Sequence, residues 1–330
     1  MSDTSVIIGL SAVLVSIIDQ EPCVFIVHGK DHGLDDSLNI IPDDKNTLDA
    51  LPFGPFNPTR HPTLELGLRS WVTNQTPFEP SYVEQLYTFG NKGRYAGQKQ
   101  EGNRVISVGY LALISNKEAK IAEERSWLSW YDYFPWEDWR EGEPGIISEQ
   151  ITPALKEWAE HADKSAEKES RWQRACLCFG FEGIERNEER VIDRYELLYE
   201  ARLVEEALRD KGLDLDTAPI SGKSMLYDHR RILATALSRL RGKIKYRPVV
   251  FDLMPDEFTL LQLQRTVEAI GGHNLHKQNF RRLVESSGLV EETGNMSDSS
   301  IGRPAALFHF RRDVELERLA PGVKMAPSKT

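Results

Sequence analysis

Residues 258–310 constrain this chain more than any other segment. TLLQLQRTVEAIGG (259–272) opens on Thr259, a residue suited to capping a helix, carries apolar residues at helical spacing and stops at a Gly pair. HKQNFRRLVESSG (276–288) repeats the pattern. There Leu275, Phe280, Leu283 and Val284 fall on one side, and Lys277, Gln278, Asn279, Arg281 and Arg282 on the other. After Gly288 come a short strand-like segment (289–292), a polar loop (293–302), Arg303-Pro304 and a second strand-like segment (305–310).

Two helices followed by strand, loop and strand make a winged helix-turn-helix. Its second helix carries the side chains that reach phosphates and base edges in a major groove. Gln278 or Asn279 suits adenine, and Lys277 or Arg281 suits guanine or phosphate. Arg303, at the tip of the wing, suits a minor groove. With Thr259 and Arg282 these residues form the expected DNA-facing set, and double-stranded DNA is the expected partner. A basic helix used for protein contacts is the alternative for this module.

The net charge of −10 looks wrong for such a partner. Its distribution resolves the conflict. Residues 221–313 carry fifteen Lys and Arg against ten Asp and Glu, about +5, which leaves the remainder near −15. An acidic body with a basic end confines the electrostatic footprint to one module. Cys23, Cys176 and Cys178 show neither a disulfide framework nor metal-ligand spacing, which fits a reducing, cytoplasmic setting. No segment has the length and apolarity of a membrane span, and the apolar run 6–18 reads as a strand.

The N-terminal part reads as a compact α/β unit. Residues 5–18 and 23–29 are β-branched runs around Asp-Gln-Glu-Pro, a hairpin. A turn-rich LPFGPF (51–56) precedes a helical pattern over 63–75, and residues 82–89 and 105–114 read as further strands. An aromatic cluster (Trp127, Trp130, Tyr131, Tyr133, Phe134, Trp136, Trp139) and two charged helical stretches, 146–174 and 187–211, come next. Residues 228–248 read as an amphipathic helix stopped by Gly242, with Ile232, Leu233, Ala236, Leu237 and Leu240 inward and Arg230, Arg231, Arg239 and Arg241 mostly outside. VVFDL (249–253) reads as a short strand.

LPFGPF, a helix, VEQLYTFGNKGR (83–94) and RVISVGYLALI (104–114) resemble the Nudix fold. Joined to the segment 225–270, NFRRLVESSGLVEETG (279–294) and GRPAALFHF (302–310), they are similar to the Nudix-related regulators of NAD metabolism, the NrtR and NadQ-like repressors. The resemblance implies an α/β Nudix-like N-terminal domain with a helical insertion, followed by a C-terminal winged helix. The expected divisions are a sensor over 1–145, an insertion over 146–225, a linker helix with the winged helix over 226–313, and a flexible tail over 314–330. The resemblance also implies a homodimer on a palindromic operator, repression of genes of NAD synthesis or salvage, and an adenine nucleotide effector: NAD, ADP-ribose or ATP.

Nudix hydrolases hold magnesium on clustered glutamates of one helix, because a hard cation needs several oxygen ligands at once. With Arg69 in the place of the box arginine, the glutamate positions become Ser70, Thr73 and Asn74, and the late glycine becomes Thr76. Gly54 and Glu65 remain. A single carboxylate is a poor magnesium site, so no metal, no catalytic residue and no required cofactor are expected. The rival is a magnesium-dependent pyrophosphohydrolase with an accessory winged helix. A Nudix core without its carboxylates still offers a nucleotide cleft. Lys92 and Arg94 are candidates for phosphate, and Tyr87, Phe89 and Phe56 for stacking a ring. Arg69 reads as a salt-bridge partner, and Tyr87 and Phe89 equally suit a core-facing strand.

Overall fold

The computed structural model describes residues 5–29, 48–91, 103–123, 126–214, 220, 222–297 and 304–311. The first half is built from β1 (Ser5–Ile18), β2 (Glu21–Phe25), β3 (Val27–Gly29), β4 (Leu48–Ala50), β5 (Phe53–Pro55), α1 (Leu64–Gln75), β6 (Tyr82–Phe89) and β7 (Asn103–Leu113). There follow α2 (Asn116–Ala119), β8 (Trp127–Ser129), α3 (Trp130–Tyr133), α4 (Thr152–Glu160), α5 (Ser165–Phe179), α6 (Val191–Glu200) and α7 (Glu205–Lys211). Last come α8 (His229–Lys243), α9 (Leu260–Gly271), α10 (Lys277–Ser287), β9 (Val290–Met296) and β10 (Ala306–Phe310).

The main sheet runs β6-β7-β1-β2-β8. β1 pairs parallel with β7 along one edge and antiparallel with β5 and β2 along the other. Alternation along β1 sends Leu10, Ala12 and Leu14 to one face and Val13, Val15 and Ile17 to the opposite one. α1 covers the first face with Leu68 and Val72, and α8 covers the second with Ile232 and Leu233. α8 lies directly on β7: a Cβ on Gly109 would stand 2.8 Å from the Ile232 side chain. α1 starts where expected, since the Thr63 hydroxyl accepts from the Leu66 amide at 3.1 Å.

The core on the α8 face crosses the sequence divisions at 145 and 225. It joins the sheet to Trp130, Phe134 and Trp136 of the aromatic cluster, to Tyr195 and Leu198 of α6, and to Leu263, Val267, Phe280 and Val284 of the winged helix. The aromatic cluster is therefore the mortar between sheet and winged helix.

Several expectations need correction. Arg230 and Arg241 of α8 are buried, not outward: α6 and α9 pack beside α8 and enclose positions that helical periodicity assigns to solvent. The helix passes through Gly242 and ends at Lys243. VVFDL is a 3-10 helix, Val249–Leu253, whose Val250, Phe251 and Leu253 all turn inward. The 23–29 run divides at Ile26 into β2 and β3. The two charged stretches divide as well, the first into a π-helical turn (Ile147–Ile151), α4 and α5, the second into α6 and α7.

The buried charges converge on Glu137, in a 3-10 turn Pro135–Glu137. Its oxygens accept from Arg194 Nε at 2.5 Å and Nη2 at 2.8 Å, from Arg241 Nη1 at 2.6 Å and from Arg186 Nη2 at 3.1 Å. Burial alone pushes this carboxyl up, but Arg194 and Arg241 outweigh it and hold the group at about 2. The remaining guanidinium N–H groups meet carbonyls, among them Cys178 O at 2.8 Å from Arg194 and Ile270 O at 2.9 Å from Arg241. A second buried pair, Arg230 with Glu206 at 3.2 Å, ties α8 to α7. His229 bolts the start of α8 to the sheet. Its Nδ1 accepts from the Leu51 amide at 3.2 Å, which places the ring proton on Nε2, 3.5 Å from Ser11 Oγ. Burial pushes this imidazole down to about 3.

Two outcomes follow. Glu137→Gln leaves three guanidiniums around a neutral group and is expected to cost about 3–5 kcal/mol in urea unfolding. His229 and Glu137 both sit below their ordinary values, so the unfolded chain binds more protons than the folded one and stability falls as pH falls. The His229 share is whole above its ordinary value of 6.5 and drains as pH drops toward about 3; the Glu137 share drains from 4.5 toward about 2. Between about pH 7 and about pH 5 His229 accounts for about 2 kcal/mol, and His229→Gln is expected to flatten the unfolding free energy by that amount over that interval.

Candidate nucleic-acid interface

α9 begins in a capping box. The Thr259 hydroxyl accepts from the Gln262 amide at 3.2 Å, and Gln262 Oε1 accepts from the Thr259 amide at 2.8 Å. α9 ends at Gly272, in left-handed conformation with φ +71°. The turn into α10 is clamped by Glu268, whose Oε1 accepts from the Leu275 amide at 2.8 Å, and by Gln264, which donates to Leu275 O at 3.0 Å. Sequence reasoning missed this clamp, since an i, i+4 polar pair reads as a solvated helix face. Phe280 and Val284 are buried and fix the roll of α10 about its axis.

That roll leaves Lys277, Gln278, Asn279, Arg281 and Arg282 exposed together. Among the described residues no ion pair engages Lys277, Arg281 or Arg282, so their charge faces outward. β9 and β10 form the wing, and Phe258 joins it by an isolated antiparallel bridge to Phe308, through two backbone bonds of 2.9 and 2.8 Å. Phe251 stacks on Phe310 with ring centres 4.4 Å apart beneath it. Arg303 lies outside the described residues. Thr259 closes the capping box at the start of α9.

The opposite end of the reader is held by the body of the protein. The last carbonyls of a helix lack partners within it. Here Tyr131 Oη donates to Ala269 O at 2.6 Å, Arg241 Nε to Ile270 O at 2.9 Å and the Trp139 amide to Gly272 O at 2.7 Å. A Cβ on Gly272 would stand 2.4 Å from Glu137 O, so glycine is required by space as well as by φ.

Of the expected nucleotide-binding residues, the three that are described, Phe56, Tyr87 and Phe89, are divided between the two faces of the sheet. Phe56 packs on the α1 face of the sheet, with its ring 5.8 Å from that of His61. Phe89 lies on the α8 face, buried, with the Arg231 guanidinium 4.9 Å above its ring. Tyr87, 60% exposed, meets Phe89 edge-on at 5.2 Å. The sheet thus separates Phe56 from the other two, and only Tyr87 offers an open face. Lys92 and Arg94 lie outside the described residues; Asn91, just before them, accepts from Arg231 Nη1 at 3.0 Å. On α1, Glu65 accepts from Arg69 Nε at 2.9 Å, and Arg69 also donates to Pro80 O at 2.6 Å, as expected of a salt-bridge partner. Gly54 gives Trp71 room to lie flat against the backbone, with Trp71 Nε1 bonded to Pro55 O at 2.9 Å. A further cleft of about 1080 Å³ opens between α2 and the winged helix, lined by Ile121, Phe251, Asp252, Asp256, His309 and Phe310 and by none of the expected ligand residues.

Residues 250–310 match the sequence model of the NrtR DNA-binding winged helix domain. A curated protein of Acinetobacter baylyi, the ADPR responsive transcriptional repressor NtrR, is 44% identical over 101 residues, which are 31% of this chain and 37% of that protein. The structure of Shewanella oneidensis NrtR complexed with a 27mer DNA aligns over 96% of this chain and 98% of its own, with a TM-score of 0.53 and 20% identity. A second Shewanella oneidensis NrtR crystal structure aligns over 93% of this chain and 94% of its own, with a TM-score of 0.52 and 20% identity. At that identity the likeness establishes the fold alone: a mixed-sheet domain with helices, followed by a winged helix.

Arg281→Ala with Arg282→Ala is expected to weaken binding to duplex DNA without lowering the melting temperature, because neither side chain is buried. Each lost phosphate contact should reduce the slope of log affinity against log salt by about 1, read by anisotropy across a salt series.

Proposed function

We propose that the chain is a DNA-binding transcriptional repressor whose Nudix-like domain senses an adenine nucleotide. The observation that carries this is the exposed basic face of α10 on a winged helix whose residues match the NrtR DNA-binding domain. The repressor role and the choice of ADP-ribose ahead of NAD and ATP are supported by the name of the Acinetobacter baylyi relative. By the same reading the chain works as a homodimer on a palindromic operator, near genes of NAD synthesis or salvage.

The sensor binds and does not hydrolyse. The one glutamate left on α1 is neutralised by Arg69, and Ser70, Thr73 and Asn74 supply no further charge for a divalent cation. Removing carboxylates from such a cleft also removes repulsion toward an anionic ligand. What remains is a ligand whose binding energy can only shift an equilibrium between forms of different DNA affinity.

The test is fluorescence anisotropy on labelled duplexes from upstream of NAD-synthesis genes, against scrambled duplex at the same salt, with ADP-ribose, NAD and ATP titrated in turn. Selective binding changed by about fivefold or more by one nucleotide is the expected outcome. Equal binding to both duplexes would remove the repressor reading. With magnesium added, ADP-ribose should survive prolonged incubation intact; its turnover to AMP would replace the sensor with an enzyme.

A further inference from the structure

The two ends of α10 are held differently. Phe280 and Val284 are buried and Leu283 packs against the same core, so apolar contacts seat the later part of the helix. Lys277, Gln278 and Asn279 of the first turn are all exposed, and His276 at the N-cap makes no side-chain capping bond. Among the described residues, then, no buried side chain and no cap within α10 sets the pitch of that turn. It is the turn with which a recognition helix meets base edges in a major groove.

The setting comes from α9. Gln264 and Glu268, one helical turn apart, close a ring of three bonds around Leu275, two residues before α10. Gln264 Nε2 donates to Glu268 Oε1 at 2.9 Å and to Leu275 O at 3.0 Å, and the same Glu268 oxygen accepts from the Leu275 amide at 2.8 Å. Both backbone polar groups of Leu275 are thereby held by side chains of the neighbouring helix. Gln264 is 6% exposed and Glu268 half-buried, so water competes little for these bonds. Asn274 Nδ2 donates to Arg140 O at 2.6 Å, which ties the same turn to the body. Apolar packing tolerates small slides and tilts, whereas a charged acceptor aimed at one amide does not.

We propose that Gln264 and Glu268 are positioning residues that set sequence selectivity, although neither belongs to the recognition helix. The rise from Lys277 to Val284 is about 10 Å, so a tilt of about 10° about Val284 carries the first turn by about 2 Å. A hydrogen bond to a base edge is lost over a displacement of about 1 Å. Attraction to a phosphate falls only as the inverse of distance, and long Lys and Arg side chains follow the shift. Loosening the ring therefore costs selectivity and leaves the sequence-independent part of binding nearly intact. The inference rests on the DNA-reading function proposed above and deepens it by naming the residues that aim the reader.

The experiment uses the full chain. Wild type selects a duplex from a random library, and affinities for that duplex and for a scrambled one are read by anisotropy across a salt series, below the melting temperature of each variant. Glu268→Ala removes the acceptor. Glu268→Gln removes the same charge but keeps an oxygen for Leu275 and Gln264, so the two variants differ in the ring and not in charge. Glu268→Ala should lower affinity for the selected duplex by about tenfold, the worth of one good base contact. Its affinity for the scrambled duplex should stay within about twofold, with the salt slope unchanged. Glu268→Gln should keep the wild-type ratio of the two affinities. Gln264→Leu, which deletes the donors at similar size, should match Glu268→Ala; if it does not fold, the half-buried Glu268 pair decides the matter. A merely structural role would lower both affinities together and leave their ratio alone. An unchanged ratio in Glu268→Ala overturns the proposal and leaves the reader intact. Equal loss of the ratio in Glu268→Gln and Glu268→Ala also overturns it, because charge and not the ring would then matter. A wild type that selects no sequence overturns the DNA-reading function itself, a result distinct from the other two.

Discussion

The structure turns on one carboxylate removed from water. Glu137 is wholly buried and holds Arg194, Arg241 and Arg186 around it. Taking such charges out of water costs several kcal/mol per ion, and the mutual attraction repays this only in a narrow geometry. The geometry therefore fixes where a 3-10 turn, α6 and α8 stand relative to one another. Through Arg241 and Gly272 it also fixes α9. Apolar packing between the same elements would tolerate sliding and re-rolling, whereas a fork of N–H donors aimed at two oxygens tolerates neither.

The reader was legible in the sequence because its signals are local. Thr259, Gly272, Gly288 and the apolar spacing of Phe280, Leu283 and Val284 each act within a turn or two, and each sits where its chemistry requires. The same holds for Thr63 at the start of α1 and for β6. The arginines of α8 were not legible. Helical periodicity assigns a polar face to solvent, but α6 and α9 cover that face, and the partners of Arg241 and Arg230 come from positions 104 and 24 residues distant. VVFDL misleads for a related reason: three β-branched or aromatic residues in a row suit a strand, yet here they all point one way into a core that a 3-10 turn can face.

The nucleotide-binding set shows a different limit. Phe56, Tyr87 and Phe89 were chosen for chemistry and for neighbourhood in a family pattern, and neither fixes which face of a sheet a ring occupies. β1 separates its two cores residue by residue, and the sheet leaves Phe56 with α1 and Phe89 with α8. What the sequence lacked was the register of β6 on β7, which shifts between Gln85 and Thr88 and re-aims the side chains beyond it. Arg231, the group that gathers this corner, looked like one more surface charge on an amphipathic helix.

The division of labour between α9 and α10 bears on how such a protein can diverge. α9 is tied at its end to the body by Tyr131, Arg241 and Trp139, while α10 is seated mainly by Phe280, Leu283 and Val284 and turns Lys277, Gln278, Asn279, Arg281 and Arg282 to the outside. On the proposed function, substitutions at positions 277–282 other than Phe280 would change which sequence is chosen without disturbing how the module is mounted. Substitutions around Gly272 do the reverse. For a repressor of the kind proposed, duplicated copies could drift to new target sites by a few changes on one helix, inheriting whatever ligand response the body confers, and the genes they govern could be reassigned without rebuilding the protein.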